Sequence, residues 1–498
     1  MKKYYLLAFL IGALSSFAFA PHYQIWLLFI TYSIFFWLLI KSQNKKQLFI
    51  NGFSFGFGIG AVSMSWLVHA LLIAPEAFGM LVPLVPLGFG LLFGIFFALP
   101  AFFSYYIKNI TGRILFFAGL FTIFEWIRSW LFTGFPWNLT GSVWTSFLPI
   151  LQMASFNGVY GLTLFSLIWF AIPFLLYKKQ YPLAIFSIFS FLLTFGLGAL
   201  RLNEMKPEFV WGVELRLVQP NIQQTLKWDE NEAEENFMKH IRLSKSKGYE
   251  KITHTLWSET AVPYPLDIND EIRAMTMMAV KQDGTLITGA LRIADKEKKQ
   301  LANSIFVLND FGNIVSFYDK SHLVPFGEYV PLRGFLPLEK IVPIASDLKE
   351  GQGVRTIRIP NAPPAGMLVC YEVIFPHAVV DKKYRPSWLI NATNDGWYGI
   401  SAGPYQHLAS AQMRAVEEGL PVVRVAGTGI SAVIYPWGEI IDSLPLGTAG
   451  VLDTKLPKEL KKVPLYARLG NSIPLFFSLM FIFFSFILDK RKKFSLNS

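Results

Sequence analysis

Seven apolar runs fill the first 200 residues, at roughly 4–20, 24–40, 50–73, 79–107, 114–131, 147–177 and 182–200. Each is near the length, about 20 residues, that an α-helix needs to cross a bilayer, and the two longest are expected to be tilted, broken or partly interfacial. An eighth run, roughly 473–488, precedes Asp489-Lys490-Arg491-Lys492-Lys493. Between roughly 206 and 470 the pattern changes. Short apolar or alternating segments, expected as strands, fall at 213–220, 255–259, 285–290, 304–308, 314–317, 367–370, 388–391 and 422–425. Polar helical stretches at 230–247, 270–281 and 404–418 are interspersed with them, the last opening on Pro404 and stopping before Gly419. Strands and helices mixed in this way predict one α/β domain with a layered sheet. The expected organisation is a membrane bundle of seven spans (1–205), an α/β domain (206–470), and an eighth span with a basic tail (471–498).

Charge then orients the spans. Lys2 and Lys3, Lys41, Lys45 and Lys46, Lys108 and Arg113, and Lys178 and Lys179 lie in alternate connections, whereas 21–23, 74–77 and 131–146 contain no Lys or Arg. Basic connections stay in the cytoplasm, so 206–470 is expected on the other face, with both termini inside. The start also has the look of a signal peptide, ending in Ala18-Phe19-Ala20. Composition agrees with the membrane: 53% of residues are hydrophobic and only 16% charged, with 47 Phe and 14 Trp. The net charge of +11 resides largely in the short clusters between spans, so it signals topology rather than nucleic-acid binding. A single Cys excludes an intramolecular disulfide framework. The seven His show no ligand spacing, and no metal or other cofactor is expected. Glu125, Arg128 and His69 fall within or near apolar runs, where they either pair or sit near span ends, or mark a transport path.

The candidate chemistry lies in three stretches of the α/β domain. Cys370 ends an apolar run and is followed by Tyr371 and Glu372. Alone it reads as a small buried hydrophobe. Glu259 stands at the end of a strand-like run in Trp257-Ser258-Glu259-Thr260. Lys320 opens a Pro/Gly-punctuated loop that carries Glu328 and runs to Pro331. A thiol with a pKa near ~8.5 is only a few per cent thiolate at neutral pH and needs a base. A carboxylate supplies one if burial raises its pKa, and a lysine can hold that carboxylate and face an oxyanion. After Glu328, the apolar stretch 330–345 reads either as a strand or core segment or as a mobile arm touching the membrane surface.

Glu259, Lys320 and Cys370, in that order, resemble the Glu-Lys-Cys triad of the nitrilase (carbon–nitrogen hydrolase) superfamily. Further motifs are similar to the apolipoprotein N-acyltransferase family within it: Gln219-Pro220-Asn221 with Lys227-Trp228, Asp319-Lys320 through Pro331, Cys370-Tyr371-Glu372, Asn394-Asp395-Gly396-Trp397-Tyr398-Gly399, and Gly403-Pro404-Tyr405-Gln406-His407 through Glu417. Val425-Ala426-Gly427-Thr428-Gly429 follows that family less closely. The resemblance implies an αββα sandwich for the α/β domain. It makes Glu259 the base, Lys320 the electrostatic stabiliser and Cys370 the nucleophile, with Glu328, Tyr371, Glu372, Trp228 and Trp397 supporting or binding substrate. It implies acyl transfer from a membrane phospholipid, through a Cys thioester, to the α-amine of a diacylated apolipoprotein. The reaction would be ping-pong, on the periplasmic face of a bacterial inner membrane. Two rival readings stand beside it: a membrane-tethered amidase acting on small amides, and a transporter or lipid-binding scaffold without activity.

Overall fold

The computed structural model describes residues 2–295, 297, 300–331 and 347–497, with 491–497 as backbone alone. The stretch expected as an arm lies, from 332 on, outside the described residues. The chain divides into two compact units, residues 1–68, 74–205 and 463–498 in one and 69–73 with 206–462 in the other.

Among the described residues of the first unit, five helices are long and apolar enough to cross a membrane: Leu84–Tyr106, Ile110–Arg128, Ala154–Tyr177, Tyr181–Glu204 and Ser472–Lys490. A sixth joins them if Lys45–Ser63 and Ser65–Leu71, bent by 45°, form one span. The other two runs expected as spans give shorter helices, Lys2–Ser15 of 14 residues and Trp26–Lys41 of 16, less than the about 20 residues that cover the hydrocarbon. The helices make this a polytopic membrane unit, and eight is a finer count than their lengths support. Close packing comes from small residues. A Cβ on Gly52, Gly56 or Gly60 would lie 2.8, 2.5 or 2.3 Å from the carbonyl oxygens of Phe97, Phe93 and Phe89 on the neighbouring helix, so Gly at every fourth position lets the two backbones touch. Glu125 is buried and satisfied: it accepts from Thr140 N (2.9 Å), Thr140 Oγ1 (2.8 Å) and Thr163 Oγ1 (2.7 Å), with Arg128 at 4.0 Å. Such pairing accounts for both charges without a transport path.

The described residues of the second unit form twelve strands in two six-stranded sheets. They are β1 (Phe209–Gln219), β2 (His254–Trp257), β3 (Thr285–Asp295), β4 (Gln300–Asn309), β5 (Ile314–Asp319), β6 (Thr356–Ile357), β7 (Ala365–Val369), β8 (Trp388–Thr393), β9 (Val422–Ala426), β10 (Ser431–Ile434), β11 (Ile440–Leu444) and β12 (Gly450–Pro457). One sheet runs β12-β1-β2-β3-β4-β5 and the other β11-β10-β9-β8-β7-β6. Parallel pairing joins β1–β2–β3 and β7–β8–β9, and antiparallel strands flank each trio. Leu215, Leu217, Leu256 and Ile305 of the first sheet share a core with Met367, Val369, Ile390 and Val423 of the second. The amphipathic helix Ala233–Ser244 buries Phe237 and Ile241 with Val218, Trp257 and Phe306 in a second cluster. It starts later than the expected 230–247 because residues 229–232 form a turn. Strands β6 and β10–β12 were not expected from the sequence: they are short, or carry polar residues such as Ser431, Asp442 and Asp453 among the apolar ones, and their ladders supply what the local pattern lacks.

Candidate functional site

Strand ends deliver the three expected reactive residues. Glu259 follows β2, Lys320 follows β5 and Cys370 follows β7. All three are buried, with exposures of 7%, 1% and 5%. The backbone turns sharply at two of these ends: Cys370 has φ 49° and Thr260, next to Glu259, φ 46°. Non-glycine residues in the left-handed region carry local strain that the surroundings must hold, a feature that clusters at functional sites. At Glu259 the hold is steric, since a Cβ on Gly289 would meet Thr260 N at 2.5 Å and Ser258 O at 2.6 Å. At Cys370 it is polar. Its carbonyl lies 3.0 Å from His407 Nε2 and accepts from Asn391 Nδ2 at 3.3 Å.

Lys320 Nζ lies 2.9 Å from Glu328 and 3.5 Å from Glu259 Oε1. Burial alone would lower its pKa, but the carboxylates of Glu328 and Glu259 overcome this and hold it above the ordinary lysine value, so the side chain stays charged. Asn303, on β4, bridges the same two carboxylates: its Nδ2 donates to Glu259 Oε1 at 2.7 Å and to Glu328 Oε1 at 3.0 Å. Glu328 Oε2 also accepts from Val324 N at 2.8 Å. Burial pushes the Cys370 thiol up to about 12; Glu259 and Asp395 act in the same direction, and Lys320 and a bond to Thr393 act against it. A thiol with so high a pKa is neutral at rest, and at neutral pH its reaction needs a neighbouring base to take the proton.

The supporting residues divide by role. Glu372 links two loops. Its Oε1 accepts from Tyr318 OH (2.8 Å), Ser321 N (2.7 Å), Ser321 Oγ (2.8 Å) and His322 N (3.1 Å), and its Oε2 from Val369 N (2.7 Å). It therefore fastens the residues after Lys320 to the residue before Cys370. Tyr371 is buried, its ring 5.1 Å from Phe375 and 5.8 Å from His322. Trp397 is half-buried on the short turn of helix Asp395–Tyr398 after β8. Trp228 caps the helix Gln224–Lys227, and its Nε1 is buried without a hydrogen-bond partner among the described residues.

Several contributors were not singled out from sequence. Besides Asn303, a buried network runs behind the nucleophile: His407 Nδ1 lies 2.8 Å from Asp395 Oδ1, and Arg424 Nη2 donates to Asp395 Oδ2 at 2.6 Å. Burial alone would raise Asp395, but Arg424 and His407 bring it down to about 2. The ligand atoms of Cys370, Asp395 and His407 lie within 4.8 Å of one another. The Arg424 guanidinium already occupies one Asp395 oxygen, which makes the trio a hydrogen-bond network rather than a cation cradle. The available signal was Arg424 itself, a charge inside the apolar run Val422–Ala426. A buried charge on a central strand requires a partner.

The chain matches two family models, that described as the apolipoprotein N-acyltransferase N-terminal domain at residues 11–172 and that described as carbon-nitrogen hydrolase at 214–464. Proteins named apolipoprotein N-acyltransferase are similar to it over nearly their whole length. That of Rhodopseudomonas palustris is 36% identical over 496 residues, covering 93% of this chain and 91% of its own. That of Rickettsia typhi is 34% identical over 481 residues, covering 95% of each. Among solved structures, an amidase from Nesterenkonia sp. is 17% identical with a TM-score of 0.37, covering 50% of this chain and 92% of its own.

Proposed function

The chain belongs to the apolipoprotein N-acyltransferase family, and we propose that its two half-reactions run through Glu259, Lys320 and Cys370. The enzyme is an acyltransferase of the carbon–nitrogen hydrolase superfamily. A fatty acyl chain moves from a membrane phospholipid to Cys370, and then to the N-terminal α-amine of a diacylated lipoprotein. In the first half, Glu259 takes the Cys370 proton and the thiolate attacks the ester carbonyl. Lys320 Nζ faces the oxyanion. The C–O bond then breaks, and Glu259 returns the proton to the departing alcohol, leaving a thioester. In the second half, the neutral amine attacks the thioester and gives a proton to Glu259. The C–S bond breaks, and that proton restores the thiol. One proton and one acyl group are conserved throughout, as two-step transfer on a covalent nucleophile requires. Tyr371, Trp228 and Trp397 line the approach of the substrates, while Glu328 and Glu372 position the reacting groups.

The observation that carries this reading is the neutral, buried thiol held with a carboxylate and a charged lysine in a chain of membrane-length apolar helices. Both substrates are lipids, so the reaction belongs at a bilayer. We assign residues 1–205 and 471–498 to eight spans and 206–470 to the periplasmic face of the inner membrane, on the alternation of Lys and Arg among the connections. Incubation with phospholipid alone should leave one acyl chain on Cys370, released by neutral hydroxylamine. Cys370→Ala should remove the adduct, since the chain has no other cysteine. A lipoprotein with a free α-amine should discharge the thioester to an amide. Discharge to water at a rate the amine does not change would instead favour hydrolysis of small amides.

A further inference from the structure

Two carboxylates, Glu259 and Glu328, share the single ammonium of Lys320 in a buried cluster. Two negative charges and one positive leave that cluster one charge short. A second lysine lies at hand. Lys227, on the short helix before Trp228, donates from Nζ to the main-chain oxygen of Glu259 at 2.8 Å. This is the peptide that leads into the strained Thr260, at φ 46°, with Gly289 pressed against it. We propose that Lys227 is a positioning residue of the reaction: it clamps the turn that carries Glu259 and supplies the second cation that the Glu259–Cys370 pair needs, so that reactivity of the thiol depends on its charge. The inference rests on the reading of Glu259 and Cys370 as base and nucleophile.

The surroundings make that charge conditional. Burial lowers the Lys227 pKa to about 8, while Glu259 first and Cys370 second pull it back up. On the other side Lys227 lines a small cavity of mixed character, with Asn236, His240, Ser258 and Asn394 beside the apolar Ile222 and Pro263. His240 is the titratable group that faces it there. Its Nδ1 pairs with Asn236 O at 2.8 Å, and burial holds the ring at about 4, so it is neutral at working pH. Its Nε2 is then a lone-pair acceptor on the cavity, buried and without a partner among the described residues. The groups that respond to the lysine are therefore Glu259 and Cys370, with Lys320 fixed as a cation beside them. Beside the Glu259 carboxylate, loss of the Cys370 proton to solvent adds a second negative charge, and a positive charge on Lys227 offsets it and so favours the thiolate that alkylation reads. At an effective dielectric near 20, a unit charge ~8–12 Å away shifts an ionisation roughly ten- to thirtyfold.

Alkylation of the only cysteine by iodoacetamide reads this directly and requires no acyl donor or acceptor, so an error in the assigned substrates would leave the result untouched. In the wild-type full-length protein the rate should climb with pH and then flatten through pH 8, as Lys227 loses its charge. Lys227→Met should react roughly ten- to thirtyfold more slowly at pH 7 and climb without a break. Lys227→Arg should keep the cation and climb without a break at the faster level. A Lys227→Met protein that is less stable but keeps the wild-type rate and profile would overturn the proposal in favour of a purely structural clamp. Should Lys227→Met fail to fold, a wild-type profile with no inflection near pH 8, or one that Lys227→Arg shares, would overturn it equally.

Discussion

Asn303 offers the sharpest separation of stability from activity. Its Nδ2 donates to Glu259 Oε1 at 2.7 Å and to Glu328 Oε1 at 3.0 Å, and its Oδ1 is buried with no partner among the described residues. Asn303→Ala removes two hydrogen bonds to charged groups, each worth about 1.5–3 kcal/mol. It also removes a buried orphan acceptor that costs about 1–3 kcal/mol, and Lys320 still neutralises part of the charge left behind. The terms partly offset, and the net loss of folding stability should be near 2 kcal/mol, a shift of a few degrees in a unit of this size. The effect on chemistry has no such offset. Glu259 loses its shortest side-chain bond and keeps Lys320 only at 3.5 Å. Misplacement of a reacting group by an ångström costs about a hundredfold, so acyl loading of Cys370 should fall by about that factor. Loading is followed by mass spectrometry of the hydroxylamine-sensitive adduct, and stability by thermal unfolding in detergent. Asn303→Asp is the companion variant: it keeps the shape but sets a third carboxylate against two, and should be worse than Ala at neutral pH. Wild-type loading by Asn303→Ala, at unchanged stability, would refute the view that Asn303 places the base.

Other outcomes follow from the same geometry. Lys320→Ala should lower loading by the ~2.7–4 kcal/mol typical of one lost oxyanion donor; because it also strands two buried carboxylates, denaturant titration should show a further loss of about 3–5 kcal/mol in stability. Gly289→Ala would put a Cβ 2.5 Å from Thr260 N and 2.7 Å from Glu259 Cα; it should displace the base and suppress loading more than it changes Cys370 alkylation. Asp395 has its pKa lowered from 3.8 to about 2. A depressed carboxylate stabilises the fold above its unfolded pKa and loses that contribution as pH falls through the folded value. Melting temperature should therefore drop between about pH 4 and pH 2 by the equivalent of about 2 kcal/mol, and Asp395→Asn should flatten that limb.

Local sequence determined the parts whose signals are local. Apolar runs of membrane length, the Lys and Arg between them, and the strand-like approach to Glu259, Lys320 and Cys370 are all visible without a fold, because hydrophobic periodicity and turn chemistry act over a few residues. Helix 404–418 was legible to within a residue of Gly403–Glu418, since a Pro start and a Gly stop are written in the chain. Tertiary structure decided what depends on residues distant in sequence. Asn303 is an unremarked polar residue until the β3–β4 hairpin and the ends of β2 and β5 bring Glu259, Glu328 and Lys320 around it. Glu372 stands two positions from the nucleophile in sequence, yet four of its five acceptor contacts come from Tyr318, Ser321 and His322. The strength of the thiol, the charge on Lys320 and the conditional charge on Lys227 arise from burial and from neighbours across the sheets. Desolvation and Coulomb interaction act through space, so residue types and order name the candidates, and only their packing assigns each a proton.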